Sequence, residues 1–202
     1  VSMHRGFGNP WVLVLVCALV YGALSFLTGI LPGIAFSRIP PTPGLRPYTA
    51  AERRGRDVYV AEGCAYCHSQ NVRPFQEDRV FGRPSVAGDY AYDTPELLGD
   101  HRNGPDLTDI GARQPSAVWQ YIHLYEPRAL VSASIMPAYP WLFRVKPTAA
   151  PGDVVVPVPS PWGPRHGVVV ATARARDLVT YLLSLKQVPL PTSSAPPGGV
   201  TP

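Results

Sequence analysis

One long apolar block is followed by several short amphipathic segments. From Gly6 to Ser37 there is no charged residue, and Trp11–Leu31 is mostly Val, Leu and Ala with no polar stripe. A helix of that length, at about 1.5 Å per residue, covers roughly 30 Å, the thickness of a bilayer core. Pro10 and Pro32 bracket the run, and Trp11 suits a membrane interface. The block therefore predicts a transmembrane anchor within 1–37, with its span at about 11–31. A cleaved signal is disfavoured, because the apolar run is long for one and no small-x-small site follows it.

Beyond Ser37 the pattern turns polar and short-ranged. Residues 38–48 are Pro-rich and predict a semi-rigid linker. Thr49-Ala-Ala-Glu52 has the form of a capping box and opens a helix to about Glu62, with Ala51, Gly55, Val58 and Tyr59 on one face. A mid-helix glycine costs up to about 1 kcal/mol relative to alanine, so Gly55 predicts close approach of another helix. Residues 69–103 are rich in turn formers, and Ser85–Tyr92 reads as a short extended stretch or hairpin. A second helix is expected over Ser116–Tyr125, between Pro115 and Pro127. Eight prolines from Met136 to Arg165 predict a surface excursion over 144–170, with a small hairpin around Val154–Val158 and Gly167–Val170. In a final helix over Ala171–Lys186, Leu178, Tyr181, Leu182 and Leu185 form an apolar stripe expected to pack on the Gly55/Tyr59 face. Residues 187–202 read as a disordered tail. The expected architecture is mainly α: an anchor (1–37), a linker (38–48), a domain with long Pro-rich loops (49–186) and the tail.

Charge refines this picture. The formal net charge is +4, and three basic residues, Arg5, Arg38 and Arg46, flank the apolar block. That is a membrane pattern, and no Lys/Arg cluster with interleaved aromatics points to nucleic acid. Of the three cysteines, Cys17 lies within the apolar block, so no disulfide framework is available.

The other two cysteines supply the candidate chemistry. Cys64-Ala-Tyr-Cys67-His68 is the CxxCH pattern of c-type haem attachment, in which both thiols form thioethers and the histidine takes an axial position on iron. A zinc site would need two further ligands. A thioredoxin-like pair would leave His68 without a role. The sixth ligand follows from a count. Of the two methionines, Met3 precedes the apolar block and Met136 lies in the soluble part. Met136 is therefore favoured, with His101, His123 and His166 as competitors that would give a bis-histidine haem of lower potential. The Pro105 carbonyl is a candidate acceptor for the His68 Nδ1 proton, beside the simpler reading of a turn proline. Arg73 and Arg102, ranked above Arg128, are candidates to neutralise haem propionates or to pair with a partner protein. With both axial positions filled, the chain would carry electrons and not catalyse on its own. Haem attachment of this kind takes place outside the cytoplasm. It predicts a cytoplasmic N-terminus and an extracytoplasmic haem domain, against the weak bias of Arg38 and Arg46 after the span.

Several features together resemble class I cytochromes c: the Gly55…Tyr59 helix before CxxCH, Gly104-Pro-Asp-Leu107, Met136-Pro137 and the Leu178…Leu185 helix. A sharper set includes Leu45-Arg-Pro-Tyr48, Glu62-Gly-Cys64-x-x-Cys67-His68-Ser-Gln70, Arg73-Pro-Phe75, Ser85-Val-Ala-Gly88, His123-Leu-Tyr125, Pro127-Arg128 and Met136-Pro-Ala-Tyr-Pro-Trp141-Leu. Over about 45–143 this resembles the mono-haem cytochrome c subunit (subunit II) of cbb-type haem–copper oxidases. The resemblance implies one covalent haem c on Cys64 and Cys67, with His68 and Met136 as axial ligands. It implies electrons arriving from a di-haem cytochrome c subunit or a soluble cytochrome c. They would leave for the b-type haem of a polytopic haem–copper catalytic subunit, in a proton-pumping oxidase of a bacterial cytoplasmic membrane. Asn71, the Pro/Val-rich 144–170 region and the tail depart from the family pattern. The competing readings are the cytochrome subunit of a related nitric oxide reductase, a freestanding anchored carrier, and a peroxidase with a displaceable sixth ligand.

Overall fold

The computed structural model describes residues 9–99 and 101–190. Arg5, Met3 and residues 191–202 of the expected tail lie outside the described residues. The chain divides into two units, Val1–Pro41 and Thr42–Pro202.

The described part of the first unit is dominated by one helix, α1 (Pro10–Phe36), with a mean hydropathy of 2.3 and no buried residue in its most apolar window. Asn9 caps it by accepting the Trp11 N–H, and Pro10 occupies the first turn, where its missing N–H costs nothing. By length and composition α1 can cross a membrane. Pro32 was expected to bound the span, but the helix continues to Phe36. The reason is local: over Phe26–Ile30 the backbone widens into a π-helix, and the Leu31 N–H reaches back five residues to the Phe26 carbonyl. A proline ring clashes with the carbonyl four residues earlier in a regular helix. A widened turn moves that carbonyl aside.

The second unit is built on two helices, α2 (Ala50–Ala61) and, at the far end of the domain, Ala173–Ser184. The capping box at α2 is present in both directions: the Thr49 hydroxyl accepts the Glu52 N–H, and the Glu52 carboxylate accepts the Thr49 N–H. Arg46 clamps the same carboxylate through both terminal nitrogens, at 2.8 and 2.5 Å. This holds Glu52 down to about 2, with the Arg46 hydrogen bond the largest cause. At Gly55 the two helices touch, as expected. A Cβ there would lie 2.0 Å from the Asp177 carbonyl oxygen and 2.6 Å from Tyr181 Cβ. The Tyr59 and Tyr181 rings meet edge to face at 5.6 Å, and Leu178, Val179, Tyr181 and Leu182 complete the buried stripe.

Between these helices lie α3 (Ile110–Arg113) and α4 (Ala117–Tyr125), the latter capped by the Ser116 hydroxyl on the Trp119 N–H. The last helix, Ala173–Ser184, is therefore α5. The extended stretch expected over Ser85–Tyr92 is instead a 3-10 turn at Ala87–Tyr90. Asp89 imposes it, by accepting the Val86 N–H at 3.0 Å, the Thr42 hydroxyl at 2.8 Å and the Arg83 guanidinium at 2.6 and 2.8 Å. Thr42 also donates its N–H to Gly88, so the Pro-rich segment is bound to this unit from Thr42 onward. At the other end, the Gln187 N–H donates to Asp109 and Arg83 donates to the Val188 carbonyl.

Residues 144–170, expected as a surface excursion with a small hairpin, are mostly exposed, but three strands tie them to the core. β1 (Phe143–Lys146), β2 (Val155–Val156) and β3 (Val168–Ala171) form an antiparallel sheet in the order β1-β3-β2, with Phe143 opposite Ala171 and Val155 opposite Val170. The expected hairpin is β2–β3, and β1 was missed. Phe143, Val156, Val169 and Ala171 belong to the same buried core as Leu178 and Tyr59. The Thr172 N–H and hydroxyl both donate to the Leu142 carbonyl, at 3.1 and 2.7 Å, joining the sheet to the start of α5.

Candidate haem centre

The CxxCH segment is placed by the end of α2. Gly63, at φ +72°, turns the chain out of the helix, and Cys64–Tyr66 forms one 3-10 turn. The Cys67 and His68 N–H groups both donate to the Cys64 carbonyl, at 3.2 and 3.0 Å. Both thiols and the imidazole are thereby carried on a single turn. The thiols are free and half-buried. Burial, followed by the nearby Glu62 charge, pushes the Cys64 thiol up to about 12.

A strap over 104–107 fixes the imidazole. His68 Nδ1 lies 2.8 Å from the Pro105 carbonyl oxygen, which accepts its proton and leaves Nε2 with a free lone pair. Burial lowers the His68 pKa, and the Pro105 hydrogen bond opposes that shift. Gly104 lies against the ring itself: a Cβ would stand 2.3 Å from Cε1 and 2.8 Å from Nδ1, so no other residue fits. Its N–H donates to Cys67 at 3.0 Å. Asp106, with no exposed surface, ties the strap to the segment after the motif. One carboxylate oxygen accepts the Ser69 hydroxyl at 2.6 Å and the Asn71 N–H at 2.8 Å, and the other accepts the Thr108 N–H at 2.8 Å. Sequence reasoning noted Gly104-Pro-Asp-Leu107 only as a motif and gave Asp106 no role.

Arg73 and Arg102, expected at haem propionates, have carboxylate partners inside the protein. Arg73 pairs bidentately with Asp78 at 2.9 Å on both bonds. Arg102 donates to Asp78 at 2.7 Å, to Ser69 at 2.6 Å and to the Asn71 carbonyl at 2.6 Å. These bonds, with Arg73 the largest cause, hold the Asp78 carboxyl well below the usual carboxylate range. Asp78 is 2% exposed and went unnoticed in the sequence, where it stands in a polar run without periodicity.

Met136 packs half-buried against the core. Its N–H donates to the Ser134 hydroxyl at 3.2 Å, and its carbonyl accepts from Arg128 at 3.3 Å. Arg128, ranked below the other two arginines, is thus the one that touches the methionine segment. Three residues on, the Tyr139 N–H donates to the Leu124 carbonyl at 2.9 Å, fastening that segment to α4. Among the competing histidines, His101 and His166 are exposed. His123 is half-buried, with its ring stacked on Trp119. Burial first, and then the charge of nearby His68, pushes His123 down to about 4.

The residues present fit a covalently held haem. Two thiols and an imidazole with a fixed free nitrogen share one turn, and glycine leaves the ring face clear. Among the described residues no group of three or more His, Cys, Asp or Glu side chains converges as a bare metal ion would require.

A family model described as cytochrome c oxidase, mono-haem subunit/FixO matches residues 4–151. The chain belongs to the FixO family. The match takes in the apolar helix, the CxxCH turn, the strap and Met136, and stops within the sheet region, before β2. FixO proteins are membrane-bound cytochrome c subunits of an oxidoreductase complex of the cbb type. No curated protein matches the chain.

Proposed function

We propose that this FixO-family chain carries one haem c, bound through thioethers at Cys64 and Cys67, with His68 and Met136 on the two faces of its iron. The bound haem supplies a one-electron couple. The protein's part is to hold His68 Nε2 toward the iron through the Pro105 carbonyl, to keep Gly104 clear of the ring, and to present a thioether sulfur from the other side. Thioether ligation raises the potential of a c-type haem, as suits a carrier near the oxidising end of a respiratory chain. The chain would accept electrons from a di-haem cytochrome c subunit or a soluble cytochrome c. It would pass them to the b-type haem of a polytopic haem–copper subunit that reduces oxygen to water and pumps protons. Its helix α1 would be the anchor in a bacterial cytoplasmic membrane, N-terminus inside and haem domain outside.

The observation that carries this reading is the single turn from Cys64 to His68 with Nδ1 committed to Pro105. The direct test is a denaturing gel stained for haem: colour should stay with the polypeptide, and loss of colour refutes covalent attachment. Met136→Ala should abolish the near-infrared sulfur–iron charge-transfer band, and persistence of the band removes Met136 from the iron. Metal analysis of the purified complex should find copper, whereas non-haem iron in its place assigns the chain to a nitric oxide reductase.

A further inference from the structure

Helix α4 carries a buried polar atom that the protein itself leaves unanswered. The His123 Nδ1 is buried and has no hydrogen-bond partner. Leaving a buried donor or acceptor unmet is costly, so such an atom in a haem protein calls for an explanation. The ring is not loose. It lies on Trp119, one turn earlier, with centroids 4.4 Å apart and planes within 16°. The next residue, Leu124, accepts the Tyr139 N–H, and Arg128 just beyond the helix holds the Met136 carbonyl. His123 therefore stands on the part of α4 that is fastened to the Met136 segment. Arg73 and Arg102 already have carboxylate partners.

We propose that His123 is a positioning residue of the haem centre, its buried Nδ1–H reserved for an acceptor of the haem assembly. That acceptor is a propionate oxygen or the Met136 thioether sulfur. The proposal rests on the His68/Met136 reading above. A donor at either atom acts in one direction. On sulfur it draws electron density away from the iron, and on a propionate it offsets negative charge beside the ring. Both favour the reduced state and raise the midpoint potential.

The test uses the full-length protein in its membrane complex, with His123→Phe and His123→Asn compared to the unaltered chain. The unaltered chain must first show the sulfur–iron band, and its absence refutes the ligand reading independently of His123. With the band present, His123→Phe should lower the haem midpoint potential while keeping the band. His123→Asn, whose amide N–H stands near the position of Nδ1, should recover most of that shift. A displaced sulfur–iron band in His123→Phe assigns the acceptor to Met136, and a displaced propionate stretch in the redox infrared difference spectrum assigns it to the propionate. If phenylalanine prevents assembly, His123→Gln, with its N–H at the Nε2 position, takes its place. An unchanged potential, an equal fall in both variants, or loss of the band in His123→Phe overturns the proposal.

Discussion

The two sides of the candidate centre are built differently. On the His68 side, a buried carboxylate, a second carboxylate shared by two arginines, and a glycine pressed on the imidazole lock 64–107 into one network. On the Met136 side, the backbone bonds at the residue itself come from one serine hydroxyl and one half-exposed arginine, and the neighbouring Ile135 is 79% exposed. The difference teaches that the imidazole is held by the fold before anything binds, whereas the thioether side leaves room to adjust. A buried charge with every lone pair engaged tolerates no partial loss. A segment whose central residue makes two part-buried backbone bonds, with one more at Tyr139, tolerates such a loss better.

That contrast can be broken from either side. The largest effect is expected at Gly104→Ala, where the new methyl collides with the His68 ring. Haem staining of the purified polypeptide should fall to a small fraction of normal, and normal staining would mean the strap is not a rigid partner of the ring. Asp106→Ala comes next. It strands the Ser69 hydroxyl and the Asn71 and Thr108 amides, and should lower stability by about 3 kcal/mol or more in denaturant titrations. Arg128→Ala should cost under about 1 kcal/mol but weaken the sulfur–iron band or speed entry of an exogenous ligand such as cyanide. If it destabilised the domain as much as Asp106→Ala, the two sides would not differ. The smallest effect concerns pH. The Asp78 carboxyl is depressed by Arg73 and Arg102. Its contribution is therefore complete above the ordinary aspartate value near 4 and is lost only as pH falls through its lower folded value. Thermal melts between pH 7 and 5 should show no loss from this pair, and a steep loss in that interval would contradict the assignment.

What was legible in the sequence was local. The Thr49/Glu52 cap, the glycine at a helix crossing and the leucine–tyrosine stripe of α5 each follow from spacing within one segment. The CxxCH turn is contiguous, so its geometry was readable too. The partners of Arg73 and Arg102 were not, because Asp78 and Asp106 reach them through folding of a turn-rich stretch that has no period to detect. β1 escaped for a related reason. Phe143-Arg-Val-Lys146 is too short to stand out, and its strand identity comes from pairing with β3, more than twenty residues later. Pro32 misled because a rule for regular helices was applied where the backbone widens to a π turn.

The pin between Thr172 and Leu142 has a consequence for how the protein breathes. Two hydrogen bonds to one carbonyl stop any opening that begins near Met136 from running on into the sheet and α5. The stretch from Leu130 to Pro137 is then expected to open locally ahead of the sheet and α5. Its amides should exchange with deuterated solvent well before those of α2 and α5, so the Met136 segment opens and closes without global unfolding.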